Sequence, residues 1–248
     1  MLREFRMPDK PPTTWRELVP PAANPDRRFV LKAALGGGAM LSALGAAEAQ
    51  TAKALLDGYT PVYFKADEWV FIRAACARLI PSDGDGPGAI EAQVPVFIDK
   101  QMAGDFGKAS DWCMTGPHDP AADPLLGFQS PLTPAEIYRQ GITAVDAWCK
   151  GEKGKAFADL DSATQDEVLR QLEMSKIPLK PEVRDFFTFL LQNTKEGFFA
   201  DPMYGGNYRM VGWKHIGFPG ARGAYREWAQ DKDVAYPLGP VSVSGERG

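Results

Sequence analysis

Apolar positions recur three and four residues apart in five stretches of this chain, the spacing that lines one face of an α-helix. Trp69, Ile72, Cys76 and Leu79 form such a stripe between Ala66 and Ile80, and the run from Pro81 to Gly88, rich in Gly, Pro and Asp, stops it. A shorter stripe follows through Val96, Phe97, Ile98 and Met102, with Pro95 at a first-turn position. Thr133-Pro134-Ala135-Glu136 has the makings of a capping box, a Thr cap and a Glu three residues later. It opens a helix with Ile137, Gly141, Val145 and Trp148 on one face, ending near Gly151. Ser162-Ala163-Thr164-Gln165 reads as a second capping box before Val168, Leu169 and Leu172, and Pro181 starts a further helix through Val183, Phe186, Phe187, Leu190 and Thr194. No alternation of useful length occurs outside Val241 to Val243. The pattern predicts one small all-α domain with long irregular loops.

Two segments break the periodicity. Between Gly104 and Pro131 the chain dissolves into Gly, Pro, Asp and Ser, with Trp112, Cys113 and Phe128 among them. A connection of that length inside a compact domain is usually functional or wrapped round a partner. From Glu196 to Arg222, aromatic side chains and His215 alternate with glycines, as in a shaped loop; Gly205-Gly206-Asn207 suits a sharp reversal through positive φ. A short helix is expected over Ala221 to Ala229, and an extended or disordered end from Pro237.

The N-terminal part has a different kind of pattern. A basic pair, Arg27 and Arg28, with Leu31 and Lys32, precedes a 15-residue apolar stretch from Ala33 to Ala47 and a small-x-small site at Ala47 and Ala49. These are the parts of a cleavable export signal, and the arginine pair before a glycine-containing apolar segment favours the twin-arginine translocase. The stretch is shorter than the roughly 20 apolar residues that span a bilayer. Residues 1–49 are therefore expected to be a twin-arginine signal peptide, residues 50–248 the mature domain, and the compartment the periplasm.

Removing residues 1–49 takes away seven Lys/Arg and five Asp/Glu from a chain of net charge −4, which leaves the mature part near −6. That sign speaks against nucleic acid, whose phosphates require a basic surface. Cys76, Cys113 and Cys149 cannot all pair within one molecule. A cysteine on an apolar helix face is expected to be a buried thiol, and Cys113, in the long loop, is the candidate for a bridge to another subunit.

Candidate chemistry is sparse. His118 and His215 are the two histidines, far apart in sequence, and neither a Cys-x-x-Cys-His haem attachment nor a four-cysteine cluster spacing occurs. Asp83-Gly84-Asp85-Gly86 opens like a calcium loop, but Pro87 stands where an oxygen ligand belongs. Gly36-Gly37-Gly38 lies inside the export segment, so no dinucleotide fingerprint is formed, and no Gly-x-Ser-x-Gly elbow exists. Asp166 and Glu167 read as solvated helix charges. No catalytic, cofactor-binding or metal-binding residue is expected in this chain.

The chain nevertheless carries specific motifs: Arg78-Leu79-Ile80-Pro81, Gly86-Pro87-Gly88-Ala89 with Glu91-Ala92, Phe97-Ile98-Asp99, Thr133 to Arg139, Glu196 to Asn207, Gly212-Trp213, and Ile216 to Ala221. In these it resembles the gluconate 2-dehydrogenase subunit 3 family. The resemblance implies a non-catalytic small subunit in the periplasm, held at the cytoplasmic membrane through its partners. Those partners are a large FAD-binding dehydrogenase subunit, which converts gluconate to 2-ketogluconate, and a multihaem cytochrome c subunit. It further implies a role in assembly and in twin-arginine export of the flavin subunit. Two alternatives remain: a related dehydrogenase acting on 2-ketogluconate, sorbitol, glucose or fructose, or a free periplasmic chaperone or binding protein. Phe198, Phe199, Tyr204, Trp213 and Phe218 are the candidate docking residues, because aromatics on rigid turns give large contact area; the competing expectation is that Phe198, Phe199 and Trp213 close the core.

Overall fold

The computed structural model describes residues 50–82, 86–224 and 238–248. The export segment, the Asp83 to Asp85 run and most of the helix expected over 221–229 lie outside the described residues. Among the described residues seven helices follow in order: α1 over 50–57, α2 Ala66–Leu79, α3 Val94–Ala103, α4 Pro134–Lys153, α5 Ser162–Glu173, α6 Phe186–Phe199 and α7 Val211–Ile216. Single 3-10 turns at Pro124–Leu126, Phe157–Asp159, Pro181–Val183, Pro202–Tyr204 and Tyr208–Met210 punctuate the loops. Among the described residues there is no strand, only isolated bridges from Val241 to Gly220 and to Arg247. The all-α expectation holds. No helix of the described residues is long and apolar enough to cross a membrane.

The predicted stripes are the faces that meet. Trp69, Ile72 and Cys76 of α2, Ile137 and Val145 of α4, Val168 and Leu172 of α5, and Phe186 and Leu190 of α6 are all buried. At the centre Phe71 packs on Phe157 at 4.7 Å, and Tyr138 meets Phe186 edge to face at 5.6 Å. Gly141 has no side chain because the Phe186 ring occupies that space, and a Cβ on Gly197 would lie 2.8 Å from the Phe97 ring. These two glycines let α4 and α3 approach α6. The buried Tyr138 hydroxyl accepts from Asn193 Nδ2 at 3.0 Å, so the polar tip is satisfied inside the core.

Polar brackets join elements distant in sequence. Asp99 is fully buried, and its carboxylate accepts from Tyr59 Oη at 2.8 Å and from the backbone N–H of Val62, Tyr63 and Phe64 at 2.7, 3.0 and 3.0 Å. Four donors around one carboxylate fix the α1–α2 connection onto α3. Burial, and then the bond to Asp99, push the pKa of Tyr59 up, so its hydroxyl remains a donor. Arg78 grips Asp166 in a bidentate pair at 2.7 and 2.8 Å, tying α2 to α5. Asp166 is thus not the freely solvated charge expected of it, whereas Glu167 is, pairing only with Arg170 and Gln171 of its own helix.

Helix ends depart from expectation in three places. The Thr133 box forms as expected, Glu136 N–H donating to Thr133 Oγ1 and Glu136 Oε2 accepting from Thr133 N, but α4 runs on to Lys153, and Gly154, at φ 76°, ends it. The cap of α5 is Asp161 and not Ser162: Asp161 Oδ1 accepts from Thr164 N at 3.0 Å. Gln165 instead turns inward and donates to the Phe157 and Ala158 carbonyls. Pro181 opens only a 3-10 turn, and α6 starts at Phe186. Residues 221–224 are not helical.

Candidate partner-docking face

The last turn of α6 delivers the chain into a run of brackets. Asp201 accepts from Met203 N through Oδ1 at 3.1 Å, which forms the 3-10 turn Pro202–Tyr204. Its other oxygen accepts from Val243 N at 2.7 Å, which ties down a segment forty-two residues later. Gly205, at φ 100°, closes the turn, but Gly206 is glycine for another reason: a Cβ there would run into the Gly197 carbonyl. Asn207 is fully buried at φ 45°, donating from Nδ2 to Ala200 O at 2.9 Å and accepting from Gly212 N at 2.8 Å. Arg209 and Met210 also have positive φ, at 51° and 57°. Three left-handed non-glycine residues in four are costly, and they persist because Tyr208 N bonds Ala92 O and Met210 is buried.

This framework sorts the aromatic candidates. Phe198 and Trp213 face inward, at 4% and 6% exposure, and the Trp213 indole donates to Phe199 O at 2.7 Å. Phe199, Tyr204 and Phe218 stay at the surface, together with Met203 and Ile216, each at least two-fifths exposed. Phe199 stands edge to face on Phe198 at 5.0 Å, and Phe218 on Trp213 at 5.1 Å, so each exposed ring rests on a buried one. Phe199 and Tyr204 border a groove with Phe97 and Gln101; Trp213, Lys214 and Phe218 border a second with Leu238 and Pro240.

The segment from Leu238, expected to be extended or disordered, is irregular but fastened. Val241 N donates to Pro219 O, Ala221 N to Val241 O at 2.7 Å, and Gly248 N to Pro240 O at 2.9 Å. Sequence periodicity offered no sign of these contacts, nor of α7, which is hidden among glycines and aromatics.

The long loop is ordered as well. Trp112 and Phe128 pack on each other at 4.9 Å, and with Phe106 they roof Phe189 of α6. Arg184 donates to Ala122 O, and Leu125 and Leu126 are left pointing to solvent. Cys113 is exposed in this loop, whereas Cys76 and Cys149 are buried; all three are free thiols. Burial pushes the Cys76 thiol up to about 12, while burial and then the Asp146 charge push Cys149 up to about 11. His118 and His215 do not meet a ligand set: among the described residues no three of His, Cys, Asp and Glu converge as a metal site would need. His215 instead lies over Gly86, leaving no room there for a Cβ.

Apolar rings thus stand exposed on a turn fixed by internal hydrogen bonds, and aromatic side chains are enriched at the centres of protein interfaces. Residues 66–220, well over half of the chain, match the family Gluconate 2-dehydrogenase subunit 3. The chain belongs to that family, and hence among the accessory subunits of a dehydrogenase complex. Comparison with curated proteins and with solved structures finds no match.

Proposed function

We propose that this chain is the exported small subunit of a membrane-bound, FAD-dependent gluconate 2-dehydrogenase. In this reading the flavin chemistry, gluconate to 2-ketogluconate, belongs to the large subunit, and a multihaem cytochrome c passes the electrons on. This chain holds the large subunit in a folded, export-competent form and carries it through the twin-arginine translocase by means of Arg27 and Arg28. The observation that carries the reading is the fate of the family motif Glu196 to Asn207. Its polar residues Asp201 and Asn207 are spent on internal brackets, while Phe199, Met203 and Tyr204 are left exposed on the fixed turn. Aromatic side chains held rigid before contact lose little entropy on binding.

Affinity purification of the tagged chain, gently solubilised from membranes, tests this directly. The expected result is a stoichiometric partner with a flavin spectrum and cytochrome bands, and gluconate oxidation in the same fraction. A colourless chain purifying alone rejects the subunit role. Changing Arg27 and Arg28 to Lys is expected to leave both this chain and the flavin subunit in the cytoplasm, and unaffected export of the partner would reject the carrier role.

A further inference from the structure

We infer that residues 238–248 form the part of the docking face that selects this chain's own large subunit, an inference that rests on the role proposed above. The family match ends at Gly220, so this segment lies beyond the family's common framework. It returns to that framework all the same, through Val241 on Pro219 and Ala221 and through Val243 N on the Asp201 carboxylate. One wall of a groove is then made by family residues, Trp213, Lys214 and Phe218, and the other by Leu238, Gly239 and Pro240.

The segment is inverted relative to a strap that merely closes a core. Ser242 is buried, bonded to Ser244 Oγ and Glu246 N, whereas Leu238 is 53% and Val243 70% exposed. Apolar side chains facing outward on a fastened backbone are suited to contact with another surface. The charge around them narrows the occupant. Among the described residues of 202–224 and 238–248, the four bases Arg209, Lys214, Arg222 and Arg247 stand against the one acid Glu246, in a chain of net charge −4. A second copy would set two rims of the same sign face to face. The groove therefore fits an apolar segment flanked by acidic side chains on the large subunit.

The test is the double substitution Leu238→Asp and Val243→Asp in the full chain, co-expressed with the large subunit. Melting is expected to stay within a few degrees of the parent, since both side chains are exposed, and the captured FAD-containing subunit to fall by roughly ten-fold or more. Lys214→Glu, on the exposed face of α7, is expected to weaken capture in the same direction, and it gives an independent reading should the double variant fail to fold. Undiminished capture by folded variants overturns the inference while leaving the subunit role intact; no capture by the parent rejects that role and the inference together. Two further outcomes also overturn it. Loss of binding to phosphatidylglycerol vesicles with capture unchanged would assign the face to lipid. Loss of a concentration-dependent dimer with capture unchanged would assign it to a second copy.

Discussion

The two halves of this molecule are held together by opposite means. In the α2 to α6 bundle the apolar side chains are inside, and the rings of Phe71, Tyr138, Phe157 and Phe186 touch one another with almost no exposed surface. In the face built from residues 198–220 and 238–248, several large apolar side chains are outside, and order comes from carboxylate, amide and indole bonds to backbone. The bundle gains stability from area removed from water, at about 25 cal/mol per Å². The face forgoes much of that gain. On the function proposed above, that apolar area is kept for contact with the large subunit, and the contrast leads to separate expectations for folding and for assembly.

Phe186→Ala should produce the largest change. It empties a fully buried ring site between Gly141 and Phe71, which costs about 3–5 kcal/mol. At roughly 2–4 °C per kcal/mol for a domain of this size, melting is expected to drop by about 6–20 °C in a thermal scan. Phe199→Ser is its counterpart in the face: melting close to the parent, and partner capture lost. If Phe199→Ser were as destabilising as Phe186→Ala, the division between core and docking face would be wrong.

Asn207→Ala comes next, at about 2–3 kcal/mol, because it leaves the Ala200 carbonyl and the Gly212 N–H without their partner and keeps a side chain at positive φ. Its effect is expected to be local. Hydrogen exchange should rise over residues 200–213 before it rises in α2 or α4, and uniform acceleration throughout the chain would show that the face and the bundle unfold as one unit.

The bundle was largely legible in the sequence and the face was not, for a physical reason. Helical stripes and the Thr133 box are local, so spacing alone places α2, α4, α5 and α6. Where two capping residues stand side by side, as at Asp161 and Ser162, the outcome depended on Gln165 being drawn to the Phe157 carbonyl, which is a tertiary contact. Asp99 gave no sign of its role because its donors lie 35 to 40 residues away, and Asp166 none because Arg78 is 88 residues distant. In the face, neighbouring Phe198 and Phe199 have the same composition and opposite fates, decided by packing against α7, itself a six-residue helix set between a left-handed Met210 and a left-handed Gly217. That the Glu196 to Arg222 region mattered was readable; which of its rings faced outward was not.

Asp166→Asn tests the bundle's polar seam at smaller scale. Arg78 holds the Asp166 carboxyl below the usual carboxylate range, and that carboxylate in turn raises the pKa of Arg78. A depressed carboxylate contributes stability that is complete above its unfolded pKa and lost as pH falls through the folded one. The pair is part exposed, so the expected loss is only about 0.5–1 kcal/mol at neutral pH. In urea titrations the parent should exceed the variant at pH 7, and the two should converge as the buffer is taken below about pH 3, under the ordinary aspartate range. A gap that persists undiminished in acid would mean that Asp166 acts through packing and not through charge.

The smallest effect on stability is expected at Cys113, where the comparison can be read by chemistry. Cys76 and Cys149 lie in the bundle with thiols pushed to about 12 and about 11, so neither offers a thiolate near neutral pH. Cys113 is exposed in the loop roofed by Trp112 and Phe128. A thiol reagent at pH 8 should therefore modify one cysteine per folded chain and all three after denaturation, and Cys113→Ser should abolish the fast reaction with a stability change inside ±0.5 kcal/mol. Repeating the titration on the assembled complex extends the test to the partner. If Cys113 remains fully reactive there, the long loop faces solvent and the wrapping expected of it fails; if it is protected, and protection survives denaturation until reductant is added, the cysteine bridges to the large subunit.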